Sequence, residues 1–466
     1  MVFSSLLFLF LFLPLNLLIY YSVKNSKVKN IILVIFSLIF YAWGEPIWIG
    51  LLIFSAFIDY LNGLFINKHL GKPIAKLGLY STLFFNLGFL FTFKYSDFIV
   101  ENFNFVFSTN FVKPGFLLPI GISFYSFQTI SYTIDVYKGE VKAQKSFLNF
   151  LLFVSLFHQL VAGPIVRYSH ITNEINKRVF SWEDFSNGIS RFCIGLFKKV
   201  CIANIAGAIC LQFLDENLSS LSVLGGWYGI VMYSLQIYFD FSGYSDMAIG
   251  LGWMFGFHYH ENFNYPYISK SITDFWRRWH ISLSTFFRDY IYIPLGGNRK
   301  HFVRNIAIVW TLTGLWHGAS WNFIFWGVYF GIILLLEKLF LNNILNKMPA
   351  ILRHIYALFF IVIGWSIFYF TDVIQLLIFL KIIFGFTQNK LFDFEVQNTF
   401  IENIYWLFIS VLLCCPIYLV VQKKMQSYFK HQINYAVNLI LNITFFIISV
   451  SLLVGSTYNP FIYFRF

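Results

Sequence analysis

Residues 306–336 read IAIVWTLTGLWHGASWNFIFWGVYFGIILLL, a run with no aspartate, glutamate, lysine or arginine. An α-helix rises 1.5 Å per residue, so about 20 apolar residues cross a hydrocarbon core ~30 Å thick. The run is too long for one span and must be two helices, or a helix with a re-entrant piece, because lipid leaves no backbone N–H or C=O a partner outside the protein. His317 stands inside it, between Trp316 and Gly318. A polar group in hydrocarbon costs roughly several kcal/mol unless partnered. An ionisable residue there is therefore a candidate functional group, with helix packing through a histidine hydrogen bond as the competing reading.

Working outward, comparable apolar segments run from 3 to 20, 31 to 43, 47 to 66, 77 to 93, 117 to 134, 147 to 166, 189 to 213, 223 to 253, 355 to 386, 401 to 421 and 436 to 455. Several are again long enough to be double. With 58% hydrophobic and 12% charged residues over 466 positions, and a mean hydropathy of +0.68, the chain cannot cover itself with a water-compatible surface. The pattern predicts an all-α, polytopic membrane protein with roughly 11 to 13 membrane-inserted helices. No linker or internal repeat separates parts, so one membrane domain over 1–466 is expected, with a core at about 117–336 that holds the candidate functional residues and C-terminal helices over 355–466. The run 3–20 has neither a basic stretch before it nor a small-residue cleavage site after it, and reads as a retained span.

The net charge of +12 comes from lysines and arginines scattered in short loops, with no sustained basic stripe, which argues against nucleic acid. Lys24, Lys27 and Lys29, then Lys68, Lys72 and Lys76, flank a turn that carries only Glu45. By the positive-inside rule these lysines face the cytoplasm and the N-terminus lies outside. Arg299, Lys300 and Arg304, and later Lys423, Lys424 and Lys430, extend the cytoplasmic set. The five cysteines (Cys193, Cys201, Cys210, Cys414 and Cys415) all lie in apolar segments, and packing accounts for them without disulfides or metal.

Residues 258–300 break the apolar pattern with Asn262, Asn264, Pro266, Asp274, Arg277, Arg278, His280, Arg288 and Asp289 among aromatics. Such sequence is tolerable at membrane depth only where protein or a water-filled cavity covers it. If DFWRRWHISLSTFFRD (274–289) is one helix, Trp276, His280 and Ser284 form a row at i, i+4 spacing that can line a cavity. An interfacial amphipathic helix is the alternative. Two histidines suit acid–base work on a hydroxyl. No GxSxG elbow is present, so direct transfer to an acceptor hydroxyl is a simpler scheme than an acyl-enzyme. His258 and His260 form an HxH pair beside Glu261, but no further ligand cluster of recognisable spacing supports a metal site. His158, His170, His301 and His354 read as packing or interfacial residues.

The stretches QIYFDFSGYSDMAIGLGWMFGF (236–257), NFNYPYIS (262–269), DFWRRWHISLSTFFRDYIYIPLGGNR (274–299), LTGLWHGASWNFIFWG (312–327), LVAGPIVRY (160–168) and NPFIYFRF (459–466) resemble the membrane-bound O-acyltransferases, in particular the bacterial alginate and peptidoglycan O-acetyltransferase branch. His158, in FHQLVAGP, stands where the resemblance leads one to expect proline. The resemblance implies a ring of tilted helices around a central tunnel, with His317 as principal catalytic residue and His280 as the second active-site histidine. Trp276, Arg277, Trp316 and Asn322, within the two histidine motifs, are expected to bind substrate.

On this reading acetyl-CoA, a substrate and not a bound cofactor, enters from the cytoplasm, with Arg299, Lys300 and Arg304 attracting its phosphates. His317 acts as general base, His280 or an indole N–H stabilises the oxyanion, and aromatic walls limit thioester hydrolysis. The acetyl group then passes to a periplasmic SGNH-type partner. Peptidoglycan is the first expectation for the polymer, because the Phe-, Ile-, Asn- and Lys-rich composition suggests an AT-rich genome, which suits few alginate producers. Alginate or another exopolysaccharide comes next, then D-alanyl transfer to teichoic acid. A transporter or scramblase is the rival from another class, but it predicts inverted repeats that the sequence lacks. The expected location is the bacterial inner membrane.

Overall fold

The computed structural model describes residues 1–161, 163–215, 218–428, 431–456 and 458–462. Ala162, Lys430 and residues 463–466, which belong to stretches singled out above, lie outside the described residues. Every regular element among the described residues is helical, and the protein is an all-α, multi-pass membrane protein. Seven helices among these residues are long and apolar enough to cross a membrane, or eight if the bent pair Phe394–Leu413 and Ile417–Met425 is one span. Other apolar segments are shorter or interrupted. The 147–166 stretch breaks at Leu156 into Phe147–Ser155 and Phe157–Leu160, and 355–386 is two helices, Ala350–Tyr369 and Val373–Ile383. Conversely, Val223–Phe255 is a single helix of 33 residues. It contains no proline, so its hydrogen-bond ladder runs on without a stop.

The chain forms two compact units, Met1–Phe192 with Tyr244–His260, and Cys193–Gly243 with Glu261–Phe466. In the first, a thread of polar side chains ties Ile49–Lys68, Ala75–Leu90 and Ile122–Lys138 together. Asn86 donates to the fully buried Asp59 carboxylate at 2.8 Å, Thr129 donates to Asn86 at 3.2 Å, and Asn62 donates to Thr82 at 3.0 Å. Hydrocarbon offers no hydrophobic force between helices, so small residues and such bonds do the joining. Gly63 takes part as well: a Cβ there would lie 2.7 Å from the Tyr132 ring.

The second unit contains a buried ion pair, Lys199 to Asp240 at 2.6 Å. Both partners also hold the C-terminal segment, Lys199 donating to the Pro460 carbonyl and Asp240 accepting from the Ile462 amide at 2.9 Å. A paired and hydrogen-bonded buried charge is tolerated where a single one is not.

The 306–336 run is a helical hairpin, Phe302–His317 and Trp321–Leu336, broken at residues 318–320. Its two helices approach through glycine. A Cβ on Gly314 would lie 2.2 Å from the Phe323 carbonyl oxygen, and one on Gly327 2.2 Å from that of Trp310. Since backbone cannot yield as a side-chain tip can, the glycines fix how close the helices come, and with it the position of His317. We expect Gly327→Ala to lower the thermal midpoint of the detergent-solubilised protein, by the ~1–3 kcal/mol of an overpacked contact. Gly88→Ala, whose Cβ meets nothing within 4 Å, serves as the control and leaves the midpoint unchanged.

Candidate active site

His317 is the last residue of its helix, and Gly318, with extended backbone, turns the chain away. The imidazole is 5% exposed. Three rings meet it edge-on: Trp316 at 5.0 Å, Trp326 at 5.0 Å and Phe368 at 5.3 Å between centroids. His280 is buried too, 5.9 Å from Trp316 and 6.2 Å from Phe263. Trp316 thus stands between the two imidazoles, edge-on to each. Both histidines line one cavity of about 460 Å³ within the second unit.

The surroundings of His280 differ from the single helix the spacing suggests. Ile272–Arg278 ends at Trp279, and a new helix, Ile281–Phe287, begins after His280, whose backbone is left-handed (φ 44°, ψ 54°). A non-glycine residue occupies that region only where its surroundings over-determine it. Here Asn262 does so. Its carbonyl accepts from the Ile281 amide at 3.0 Å, and its side-chain oxygen accepts from the Ser282 amide at 3.1 Å and the Ser282 hydroxyl at 2.8 Å. The Asn264 amide adds a bond to the Arg278 carbonyl at 2.9 Å. The continuous i, i+4 row therefore does not exist. Trp276, His280 and Ser284 nevertheless all line the cavity, because the break folds the second helix back until the Ser284 hydroxyl reaches the Trp276 carbonyl at 3.4 Å.

Ser282 commits its hydroxyl proton to Asn262, so its oxygen is left to accept from His280 Nδ1, 3.4 Å away. The tautomer that matches this contact carries its proton on Nδ1. At the start of the 272–278 helix, Ser271 accepts from the Asp274 amide at 3.0 Å. The fully buried Glu337 accepts from the amides of Ile272 (2.6 Å) and Thr273 (2.8 Å), from the Thr273 hydroxyl (2.6 Å) and from the Tyr356 hydroxyl (3.2 Å). A carboxylate at a helix N-terminus satisfies orphan N–H groups and complements the helix dipole.

Not every residue expected to bind substrate lines the cavity. Trp276 and Arg277 do; the Trp276 indole N–H is buried with no hydrogen-bond acceptor among the described residues. Trp316 forms the wall between the histidines instead. Asn322 is fully buried and donates to the carbonyls of Ile367 (3.4 Å) and Phe368 (3.3 Å), so it positions the Phe368 ring that packs on His317. Arg299 and Lys300 are exposed and outside the lining. Its cations are Arg277, Arg288, which also pairs with Asp289 at 2.6 Å, and Lys338, which lies 4.5 Å over the Phe302 ring. Sequence reading named Asn262 without its role, and missed Lys338, Ser282 and Glu337. The signal for the last was present: Glu337 is the first charge after the uncharged 306–336 run. Phe368 also borders a second cavity of about 420 Å³, where Asp215, Gln236, Tyr369, Thr371, Gln375 and Tyr458 supply polar atoms.

Residues 138–380 match the MBOAT, membrane-bound O-acyltransferase family. The chain belongs to this family. It is similar to a probable alginate O-acetylase AlgI of Azotobacter vinelandii, 43% identical over 379 residues, covering 79% of this chain and 75% of the relative. A peptidoglycan O-acetyltransferase of Helicobacter pylori is 37% identical over 406 residues, covering 79% and 77%. A teichoic acid D-alanyltransferase of Bacillus subtilis is 30% identical over a shorter 232 residues, 46% of this chain and 58% of the relative. The protein is a membrane O-acetyltransferase of the MBOAT family.

The Asn262–Ser282 contact makes these two positioning residues. We expect Ser282→Ala to lower kcat by about 10²-fold, the cost of misplacing a reacting group by roughly 1 Å, with donor KM unchanged. Ser282→Thr, which keeps the hydroxyl, should restore most of the rate. Equal kcat for Ser282→Ala and the unaltered protein would remove the residue from the site.

Proposed function

We propose that the protein takes an acetyl group from acetyl-CoA and passes it across the bacterial cytoplasmic membrane for O-acetylation of peptidoglycan, through a periplasmic partner of the SGNH type. The observation that carries this reading is the shared cavity: two imidazoles, an indole N–H without an acceptor and three cations converge on one space. In the proposed step His317 accepts the proton of an acceptor hydroxyl as its oxygen attacks the thioester carbonyl. The Trp276 N–H stabilises the oxyanion, where a buried donor is worth more than in water. The C–S bond breaks, and the proton held by the imidazole goes to the departing thiolate, giving an acetyl ester and free thiol. His280, on the same cavity, orients the incoming hydroxyl. Arg277 and Lys338 hold phosphate oxygens of the donor, while Arg299, Lys300 and Arg304 act at longer range by raising its local concentration.

The acceptor approaches through the second cavity, separated from His317 by the Phe368 ring. In support of peptidoglycan, the match to the H. pylori enzyme covers 79% of this chain, the same share as the match to the A. vinelandii protein. The higher identity to the latter, 43% against 37%, favours alginate or a similar exopolysaccharide as the second reading.

His317→Ala should abolish glycan O-acetyl groups in cells while the protein is still made and membrane-inserted; full acetylation by this variant would refute the general-base role. Mass spectrometry of purified muropeptides and of exopolysaccharide from the same cells separates the two polymers by where the acetyl groups disappear. With the purified protein and labelled acetyl-CoA, Lys338→Gln should raise donor KM about tenfold, a ~1.4 kcal/mol contact, and leave kcat in place.

A further inference from the structure

The first unit holds a further polar concavity, distant in sequence from both histidines and unused by the chemistry above. It is a small pocket of about 80 Å³ lined by Tyr20, Tyr21, Lys24, Lys29, Arg178 and Asp184, with Phe180 and Trp253 among its other walls. Lys29 Nζ lies 4.6 Å over the Tyr20 ring and 5.4 Å over that of Tyr21. The Arg178 guanidinium is fixed from several sides: Nε donates to the Tyr20 hydroxyl at 2.9 Å, Nη1 to the Glu174 carbonyl at 3.1 Å and Nη2 to the Asn30 side chain at 2.5 Å. The Phe257 ring sits 4.7 Å from it. Each of these partners is uncharged, since Glu174 contributes its main-chain carbonyl. Two of the five guanidinium N–H groups remain for something else.

Three cations thus face one carboxylate in this pocket, an excess of 3 − 1 = 2 positive charges. That carboxylate, Asp184, is turned toward His258 Nε2, 3.5 Å away. Neither Lys29 nor Arg178 has a carboxylate within ion-pair distance among the described residues. Like charges gathered in a partly buried site, held in place and left without a counter-charge, are unfavourable unless an anion joins them.

The rim indicates which anion. Val179 and Trp182 are 73% and 77% exposed, and Phe180 44% exposed, so an apolar and aromatic edge borders the cationic pocket. Aromatics beside lysines and arginines are the pattern of a membrane–water interface, and basic pockets on the lysine-rich side of membrane proteins hold anionic headgroups. The pocket, at about 80 Å³, is far smaller than either cavity of the second unit. That is room for a phosphate group and not for acyl chains, which would lie outside along the rim. A soluble anion would have no use for that rim.

We infer that this pocket binds the phosphate of an anionic phospholipid headgroup from the leaflet that the lysine loops face. The test uses the full chain in detergent micelles, with phosphatidylglycerol, phosphatidylcholine and inorganic phosphate as probes, read by native mass spectrometry and by the thermal midpoint. Phosphatidylglycerol should stay bound and raise the midpoint, and the other two should not. Lys24→Gln and Lys29→Gln should each weaken phosphatidylglycerol binding by about fivefold, with Lys29→Arg close to the unaltered protein. Arg178 also holds Tyr20 and Asn30, so the lysine variants carry the test. Unchanged phosphatidylglycerol affinity in the double glutamine variant overturns the inference. So does equal binding of phosphatidylcholine, or equal stabilisation by inorganic phosphate.

Discussion

A helix that begins inside a protein, away from water, exposes backbone N–H groups that only the protein can satisfy, and the segment carrying His280 depends on how that is done. Glu337 supplies both carboxylate oxygens to the first amides of Ile272–Arg278, and Asn262 supplies its carbonyl and side chain to the first amides after the break. The two acceptors lie on either side of a left-handed residue and hold it there. A histidine in that conformation is costly by itself, so its placement follows from these bonds and not from local preference. Glu337 also links the His280 segment to the hairpin that carries His317, since it follows directly on Trp321–Leu336.

Aromatic packing completes the arrangement. Both imidazoles meet Trp316 edge-on, and His317 meets Trp326 and Phe368 in the same way. Such pairs contribute about 0.5–1.5 kcal/mol each beyond the area they bury, but their larger effect here is orientation. A ring boxed by Trp316, Trp326 and Phe368 has few rotamers left, so the His317 nitrogens point in a limited set of directions. Asn322 acts one layer further out, through the carbonyls of Ile367 and Phe368.

Several polar groups elsewhere follow the same rule. Asp59 is tied to Asn86 within a helix bundle, Arg191 pairs with Asp246 at 2.9 Å, and Lys199 and Asp240 each hold the C-terminal segment as well as each other. Around Lys29 and Arg178, among the described residues, charges collect without such closure.

The sequence by itself determined the membrane class and the all-α architecture, and its motifs singled out His317 and His280, because hydropathy and motif identity are local properties that survive any tertiary arrangement; that both line one cavity is a fact of the tertiary structure. It also anticipated that the 306–336 run must be double, from length alone. The left-handed break at His280 was beyond it, since i, i+4 spacing reads the same whether or not a distant asparagine pulls the chain out of helical geometry. So was the uninterrupted Val223–Phe255 helix, where length suggested a break that nothing in the packing imposes. The cations of the cavity that both histidines line were likewise decided by the fold. Arg299 and Lys300 are close to the motif in sequence, but a cavity is lined by whatever side chains converge on it, and Lys338 reaches it from the far end of the hairpin.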